Sequence, residues 1–118
     1  MKNYKELLVW QKSHLLTLAV YQVTKTFPRE EIYGLVSQIR RCSISIPSNI
    51  SEGCGRLSDK ELAHFLVIAS GSASELDYQL MLSKDLFYID TSTYEQLHQN
   101  LTEIRKMLNA FIKKLNGC

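Results

Sequence analysis

The sequence predicts an all-α fold, an antiparallel up-down four-helix bundle, and three observations favour it. Only two prolines and five glycines occur among the 118 residues, too few for the many turns of an all-β chain. Four segments carry apolar residues three and four apart, which is typical of helices with one buried face. Hydrophobic residues make up 45% of the chain and charged residues 22%, as in globular proteins. Residues 1–118 are therefore predicted to form a single domain with one core.

The first predicted helix runs from Lys5 to Thr26. Phe27-Pro28 ends it, because proline disfavours helical backbone at the preceding residue and cannot donate to the hydrogen-bond ladder. Its core face is predicted from residues at helical spacing, namely Leu8, Leu15, Leu18 and Phe27, with Trp10, Val20 and Tyr21 beside them.

The second predicted helix follows Glu30-Glu31, whose negative charges suit the positive end of a helix dipole. Its apolar stripe comprises Ile32, Leu35, Ile39, Cys42, Ile46 and Ile50. Gly53-Cys54-Gly55 is predicted to end it with a glycine in the left-handed conformation. Pro47 lies within the stripe and removes a backbone hydrogen bond, so we expect a kink costing about 3 kcal/mol, with Trp10 packed over the bend. The alternative is that the helix breaks there into two.

Capping-box patterns precede helices three and four, and in such a box serine and glutamate side chains satisfy the first amide groups. Ser58-x-x-Glu61 opens the third helix and Ser92-x-x-Glu95 the fourth. The predicted core residues are Leu62, Phe65, Leu66, Ala69, Ala73, Leu76 and Leu80 in helix three, and Leu97, Leu101, Ile104, Leu108, Phe111 and Leu115 in helix four. Short connections make sequential helices antiparallel neighbours. The expected contacts are Leu80 with Leu97, Leu76 with Leu101, Ala73 with Ile104, Ala69 with Leu108, and Leu66 with Phe111.

Several function classes are disfavoured by the composition. No apolar run reaches the roughly 20 residues of a membrane span, and the N-terminus lacks a secretory pattern. The cysteines, Cys42, Cys54 and Cys118, form no CxxC pair, which indicates reduced thiols and a cytoplasmic location. Each of the three histidines lacks a partner three or four residues away for metal or acid–base chemistry. We therefore expect no metal, no cofactor and no catalytic site, and we assign no role to Cys54 or Cys118.

Positive charge collects at both ends of the chain, although the formal net charge is only +2. Helices one and four are neighbours in an up-down bundle, so their basic residues would share a face that nucleic acid could contact. The predicted contact residues are Lys5, Lys12, Arg105, Lys106, Lys113 and Lys114. Two alternatives stay open. The face is simply solvated, or it meets the acidic third helix of a neighbouring subunit in a contact that closes a ring.

Two features in the middle of the chain concern packing. Arg40-Arg41 could bind phosphate, but antiparallel packing places Arg40 near Glu75, so we expect an ion pair within one chain or between subunits. The small residues Ser70-Gly71-Ser72-Ala73-Ser74 are expected to face Ser43, Ser45 and Ser48. They indicate either tight packing within one bundle or a surface that receives a neighbouring subunit.

Five motifs carry a resemblance to a known family. They are Val9-Trp10-Gln11, Phe27-Pro28-x-x-Glu31-x-Tyr33-Gly34-Leu35, Gln38-Ile39-Arg40-Arg41, Ser45-Ile46-Pro47-Ser48-Asn49-Ile50-x-Glu52-Gly53 and Phe65-Leu66-x-Ile68-Ala69-x-Gly71-Ser72. With these motifs the chain resembles, over nearly its whole length, the four-helix-bundle family called 23S rRNA intervening-sequence proteins. Members are encoded in insertions within large ribosomal RNA genes or elsewhere in bacterial genomes.

The resemblance implies a homo-oligomer, because related bundles assemble as pentameric rings. It also implies nucleic-acid binding and a reverse-transcriptase-like partner, since a relative is an accessory protein of retroelement reverse transcriptases that binds nucleic acid through a basic surface. No catalytic residues carry over. Relatives often have glycine before a tyrosine at the end of helix three, where this chain has Phe87-Tyr88. Our leading hypothesis is a non-enzymatic oligomeric bundle that binds RNA or DNA, and the alternative is a protein-interaction scaffold without a nucleic-acid role.

Overall fold

Four α-helices make up most of the computed structural model, which describes residues 2–117. They are α1 (Leu8–Thr24), α2 (Leu35–Cys54), α3 (Asp59–Asp85) and α4 (Thr91–Leu115), with 3-10 turns at Tyr4–Glu6 and Arg29–Glu31. No strand occurs within residues 2–117. Both α1 and α3 pack on α2 and α4, in a body of 44 × 23 × 20 Å. The all-α four-helix bundle is thus confirmed, and no described helix is long and apolar enough to cross a membrane.

The predicted stripes of α2, α3 and α4 form most of the core. Ile39, Ile46 and Ile50 of α2 are fully buried, whereas Ile32 precedes the helix and is 48% exposed. Ala69 and Ala73 of α3 are also fully buried. The large residues Leu97, Leu101, Ile104 and Leu108 of α4, which packs on α3, are buried as well. Alternation of small and large side chains across such an interface favours close packing, while the individual pairs stay predictions.

The predicted core face of α1 is wrong for its three leucines. Leu8, Leu15 and Leu18 are 56%, 63% and 53% exposed, whereas the predicted Phe27 and Val20 are buried. The helix buries Val9, Ser13, Leu16, Val20 and Thr24. The buried hydroxyls of Ser13 and Thr24 donate to the carbonyls of Val9 and Val20, at 2.7 and 2.8 Å, so neither is left unsatisfied. Because α1 is apolar on most sides, periodicity alone did not select its inner face.

Helix α2 continues through Pro47 without breaking into two helices. Proline cannot donate to the carbonyl of Ser43 four residues earlier, and that carbonyl accepts the Thr17 hydroxyl of α1 at 3.0 Å. Trp10 lines the same surface groove as Pro47. The Thr17 hydroxyl lies equally close, at 3.0 Å, to the Ser13 carbonyl of its own helix, so the neighbouring helix offers a shared donor in place of the one that proline lacks. A kink stays a prediction.

The helix caps confirm one prediction and overturn two. Ser58 caps α3 as predicted, with its hydroxyl oxygen accepting the Glu61 amide at 3.2 Å. Asp90, not Ser92, caps α4, because the helix begins at Thr91 and Ser92 is already inside it. The Asp90 carboxylate accepts the Thr93 amide at 2.7 Å. The end of α2 has no left-handed glycine, since Gly55 has a φ of −81°.

Candidate functional site

The six basic residues predicted to contact nucleic acid are not equally available. Lys5, Lys106, Lys113 and Lys114 are exposed and Arg105 is half-buried. Among these six residues the structure shows one ion pair, in which the Lys12 Nζ lies 3.1 Å from a Glu103 carboxylate oxygen. Lys12 is therefore partly neutralised by α4.

Lys5 lies in the 3-10 turn before α1, and the other four cations are divided between three sides of α4. Arg105 follows His98 by seven residues and so lies on the same side, which faces α3, where His98 Nδ1 is 2.7 Å from Asp77 Oδ1. Lys114 follows Glu103 by eleven residues, on the side facing α1. Lys106 and Lys113 lie between these two sides and face outward. The predicted basic face is therefore a ridge centred on these two lysines.

Arg40 and Glu75 form no ion pair within the described chain, so the intrachain form of that prediction is wrong. The Arg40 Nε donates to the Thr24 hydroxyl at 2.9 Å, and its guanidinium lies 4.5 Å from the centre of the Tyr21 ring. Glu75 accepts instead from the Cys42 thiol at 3.2 Å. Residues 40 and 42 lie about 200° apart around a helix, so one faces α1 and the other α3.

The buried thiols have no reactive environment. Burial, and then the hydrogen bond to Glu75, raise the pKa of Cys42 from 9.0 to about 11. Burial also raises the pKa of Cys54. Both thiols stay protonated at neutral pH, whereas Cys118 lies outside the described residues. Within residues 2–117 no group of three His, Cys, Asp or Glu side chains is placed to hold a metal ion.

The small residues of α2 and α3 pack against each other inside the bundle, one of the two predicted possibilities. The hydroxyls of Ser45 and Ser72 are 2.8 Å apart across the two helices. Gly71 is exposed, and no atom beyond its own helix lies within 4 Å of where its Cβ would be. Part of the patch thus serves internal packing, and part remains on the surface.

A second basic surface, which the sequence did not predict as a site, lies between α1 and α2. It is a groove of about 860 Å³ at the end of the bundle where the connection between α1 and α2 lies. Its cations are Lys25, Arg29, Arg40 and Arg41, and no carboxylate occurs among the described residues that line it. In the sequence, only the Arg40-Arg41 pair pointed to an anion-binding surface here. Lys25 and Arg29 lie beside this pair because the chain reverses around Phe27-Pro28, between the end of α1 at Thr24 and the start of α2.

Leu8, Leu15 and Leu18 form an exposed apolar stripe along α1. Leu8 and Leu15 are seven residues apart, and Leu18 follows three residues later, so all three lie on one side of the helix. Exposed apolar patches of this kind mark interaction surfaces more often than isolated exposed residues do.

Comparisons with known proteins agree with the fold. The family model described as 23S rRNA-intervening sequence protein matches residues 5–110. A crystal structure of a protein of unknown function from the S23 ribosomal protein family of Bacteroides thetaiotaomicron superposes with a TM-score of 0.83. The two chains are 31% identical, and the match covers 90% of this chain and 99% of that one. No curated protein matches. The chain belongs to the 23S rRNA-intervening sequence protein family.

Proposed function

We propose that this protein is a non-enzymatic, oligomeric bundle of the bacterial cytoplasm that binds RNA or DNA through basic side chains of α1 and α4. The observation that carries the proposal is the outward ridge of Lys106 and Lys113, two helical turns and about 10 Å apart. Arg105 and Lys114 flank it on α4, while Lys12 contributes less because Glu103 holds it. Lys5 lies apart from the ridge, in the 3-10 turn before α1 with its Nζ 6.0 Å from the centre of the Tyr4 ring, and adds a further cation. Phosphate contacts of this kind bind without sequence preference and release counterions.

Salt dependence of RNA binding tests this proposal. We expect the affinity for a generic RNA to fall steeply as salt rises, with a logarithmic slope of about 0.7–0.9 for each phosphate contact. Lys106→Glu with Lys113→Glu should weaken binding and flatten this slope. Arg56→Glu with Lys60→Glu, which alters charge equally in the α2–α3 turn and the first turn of α3 and also removes the exposed Arg56–Glu52 ion pair, is the control. An RNA affinity that does not change with salt, or that falls equally in both double variants, contradicts the proposal.

We further propose that the exposed leucine stripe of α1 is buried between subunits, in a ring that the family resemblance suggests is a pentamer. Solution mass from light scattering tests this assembly. Leu15→Glu with Leu18→Glu should convert the oligomer to monomers without unfolding them, because both side chains are already more than half exposed. A monomeric wild-type protein would exclude the ring.

The same stripe favours a second candidate function, a protein-interaction scaffold without a nucleic-acid role, for which a reverse-transcriptase-like protein is the proposed partner. Here the apolar side chains would meet another protein, and the lysines of α4 would be merely solvated. Recovery of one stoichiometric protein partner after nuclease treatment, lost in the leucine double variant and kept in the lysine double variant, favours the scaffold.

A further inference from the structure

The groove between α1 and α2 has the size and charge of a ligand site. Its volume of about 860 Å³ falls in the range of roughly 300–1,000 Å³ that binding sites for small molecules occupy. It extends along α2 from Val36 to Ile44, which is about 12 Å at 1.5 Å per residue, and reaches Tyr33 just before the helix. Four cationic side chains, Lys25, Arg29, Arg40 and Arg41, line it.

Two carboxylates, Glu30 and Glu31, follow Arg29 in the sequence, but neither lines the groove. Glu31 accepts the Tyr88 hydroxyl at 2.8 Å and the Leu35 amide at 3.3 Å, so both of its oxygens are engaged outside the groove. Lys25, Arg29 and Arg41 are exposed and form no ion pair with any described residue. Like charges gathered without a counterion favour an anionic ligand.

Arg40 is held in place before any ligand arrives. Its guanidinium rests over the Tyr21 ring, donates to Thr24 at 2.9 Å and reaches the Tyr21 carbonyl at 3.4 Å. These contacts use two of the guanidinium nitrogens and leave further N–H donors for an oxyanion. A fixed donor loses less conformational entropy on binding than a mobile one.

The groove also offers an aromatic and apolar surface beside its cations. Tyr33 is 97% exposed, and Ile32 and Ile44 are 48% and 41% exposed. A solvated tyrosine ring next to arginines is the arrangement on which nucleic-acid bases stack while their phosphates meet the cations. An inorganic anion alone would leave this apolar surface unused.

We propose that this groove binds a nucleotide unit, with the phosphate on Arg29, Arg40 and Arg41 and the base stacked on Tyr33. The unit comes either from a free nucleotide or from a single-stranded segment of nucleic acid, and in the second case the inference rests on the proposed function. The site is separate from the Lys106 and Lys113 ridge, so the two surfaces can be tested apart.

Binding of two probes to the full chain at low salt distinguishes the sources. Adenosine 5′-monophosphate, measured by calorimetry, represents the free nucleotide, and a six-nucleotide oligoadenylate, measured by fluorescence anisotropy, represents the strand. Arg29→Gln with Arg41→Gln should weaken whichever probe binds at least tenfold, and Tyr33→Leu should weaken it about fivefold or more. These residues are exposed, so the variants should keep their thermal stability.

Matched controls make the result specific. Lys106→Gln with Lys113→Gln removes the same charge outside the groove and should leave mononucleotide binding unchanged, and Tyr78→Leu removes another exposed tyrosine on α3. Equal losses of probe affinity in the two double variants would overturn the proposed site. It would also be overturned if inorganic phosphate bound as tightly as the mononucleotide and Tyr33→Leu had no effect. Failure of both probes also overturns it, yet RNA binding that depends on Lys106 and Lys113 would still leave the proposed function standing.

Discussion

The α2–α3 turn and the α3–α4 turn reverse the chain at opposite ends of the bundle, and they use glycine in opposite ways. At the first, Gly53 lies in the last turn of α2 and Gly55 directly follows the helix, and neither has a positive φ. The second contains no glycine, although its Phe87 has a φ of 65°, the conformation that glycine adopts most easily. A glycine near a helix end can thus be needed because two helices pack closely there, while a residue other than glycine adopts the left-handed conformation.

Hydrogen bonds hold Phe87 in this conformation. The Tyr88 amide donates to the Ser83 carbonyl and the Phe87 amide to the Lys84 carbonyl, both at 2.9 Å, which is the Schellman pattern at a helix C-terminus. Tyr88 then packs on Phe27 and donates to Glu31. Phe87 itself is 92% exposed, so packing does not offset its backbone strain.

Substitution of Gly53 should have the largest effect on stability. A Cβ at this position would lie 2.8 Å from Leu62 Cδ1 and 3.0 Å from the Phe65 Cβ, where α2 and α3 approach each other. Gly53→Ala should therefore lower the free energy of unfolding by about 1–3 kcal/mol in urea titrations. Gly71→Ala is the control, because its added methyl group meets nothing and should stabilise the helix by up to about 1 kcal/mol. Equal effects at both positions would show that close approach is not what Gly53 provides.

The next effect concerns the cap that begins α4. Asp90→Ala should destabilise the protein at pH 7, as Ser58→Ala should at the start of α3, whereas Ser92→Ala should have little effect. Hydrogen bonds from Thr93 lower the pKa of Asp90 below its usual 3.8. Its contribution is therefore present above pH 4 and is lost as the pH falls through the lowered pKa. Thermal melts of the wild type and Asp90→Ala should converge in acid, and a loss in Ser92→Ala instead would restore the predicted capping box.

How much the sequence could predict depends on how many faces a helix leaves apolar. Helix α4 has one apolar face, and its stripe from Leu97 to Leu108 was predicted correctly because only one orientation buries it. Helix α1 has several, and its inner face includes two polar residues, Ser13 and Thr24, whose hydroxyls bond within the helix. The two lysines of the α4 ridge, Lys106 and Lys113, were among the residues predicted from the sequence. The groove was not predicted, because Lys25 and Arg41 meet only after the chain reverses, and because the direction of Arg40 depends on Tyr21 and Thr24.

The third prediction tests the strain at the α3–α4 turn. Phe87→Gly should raise the free energy of unfolding by about 1 kcal/mol, since the left-handed conformation penalises side chains and this one packs little. Phe87→Leu keeps the Cβ and the positive φ, so its stability should stay close to that of the wild type. A gain in both variants would attribute the effect to the loss of an exposed aromatic ring rather than to backbone strain.

The smallest expected change is at Gly55, and it decides whether the comparison between the two turns holds. Gly55 has right-handed backbone angles, and an added Cβ would meet the Glu52 carbonyl oxygen at an ordinary 3.5 Å. Gly55→Ala should therefore stabilise the protein by about 0.5 kcal/mol, by restricting the unfolded chain, as shown by a higher midpoint of urea unfolding. Its sign would then match that of Phe87→Gly, although the substitutions run in opposite directions. Both substitutions can stabilise the protein because the left-handed conformation occurs at Phe87 and not at Gly55. A clear loss of stability in Gly55→Ala would mean that the first turn needs glycine for its backbone after all.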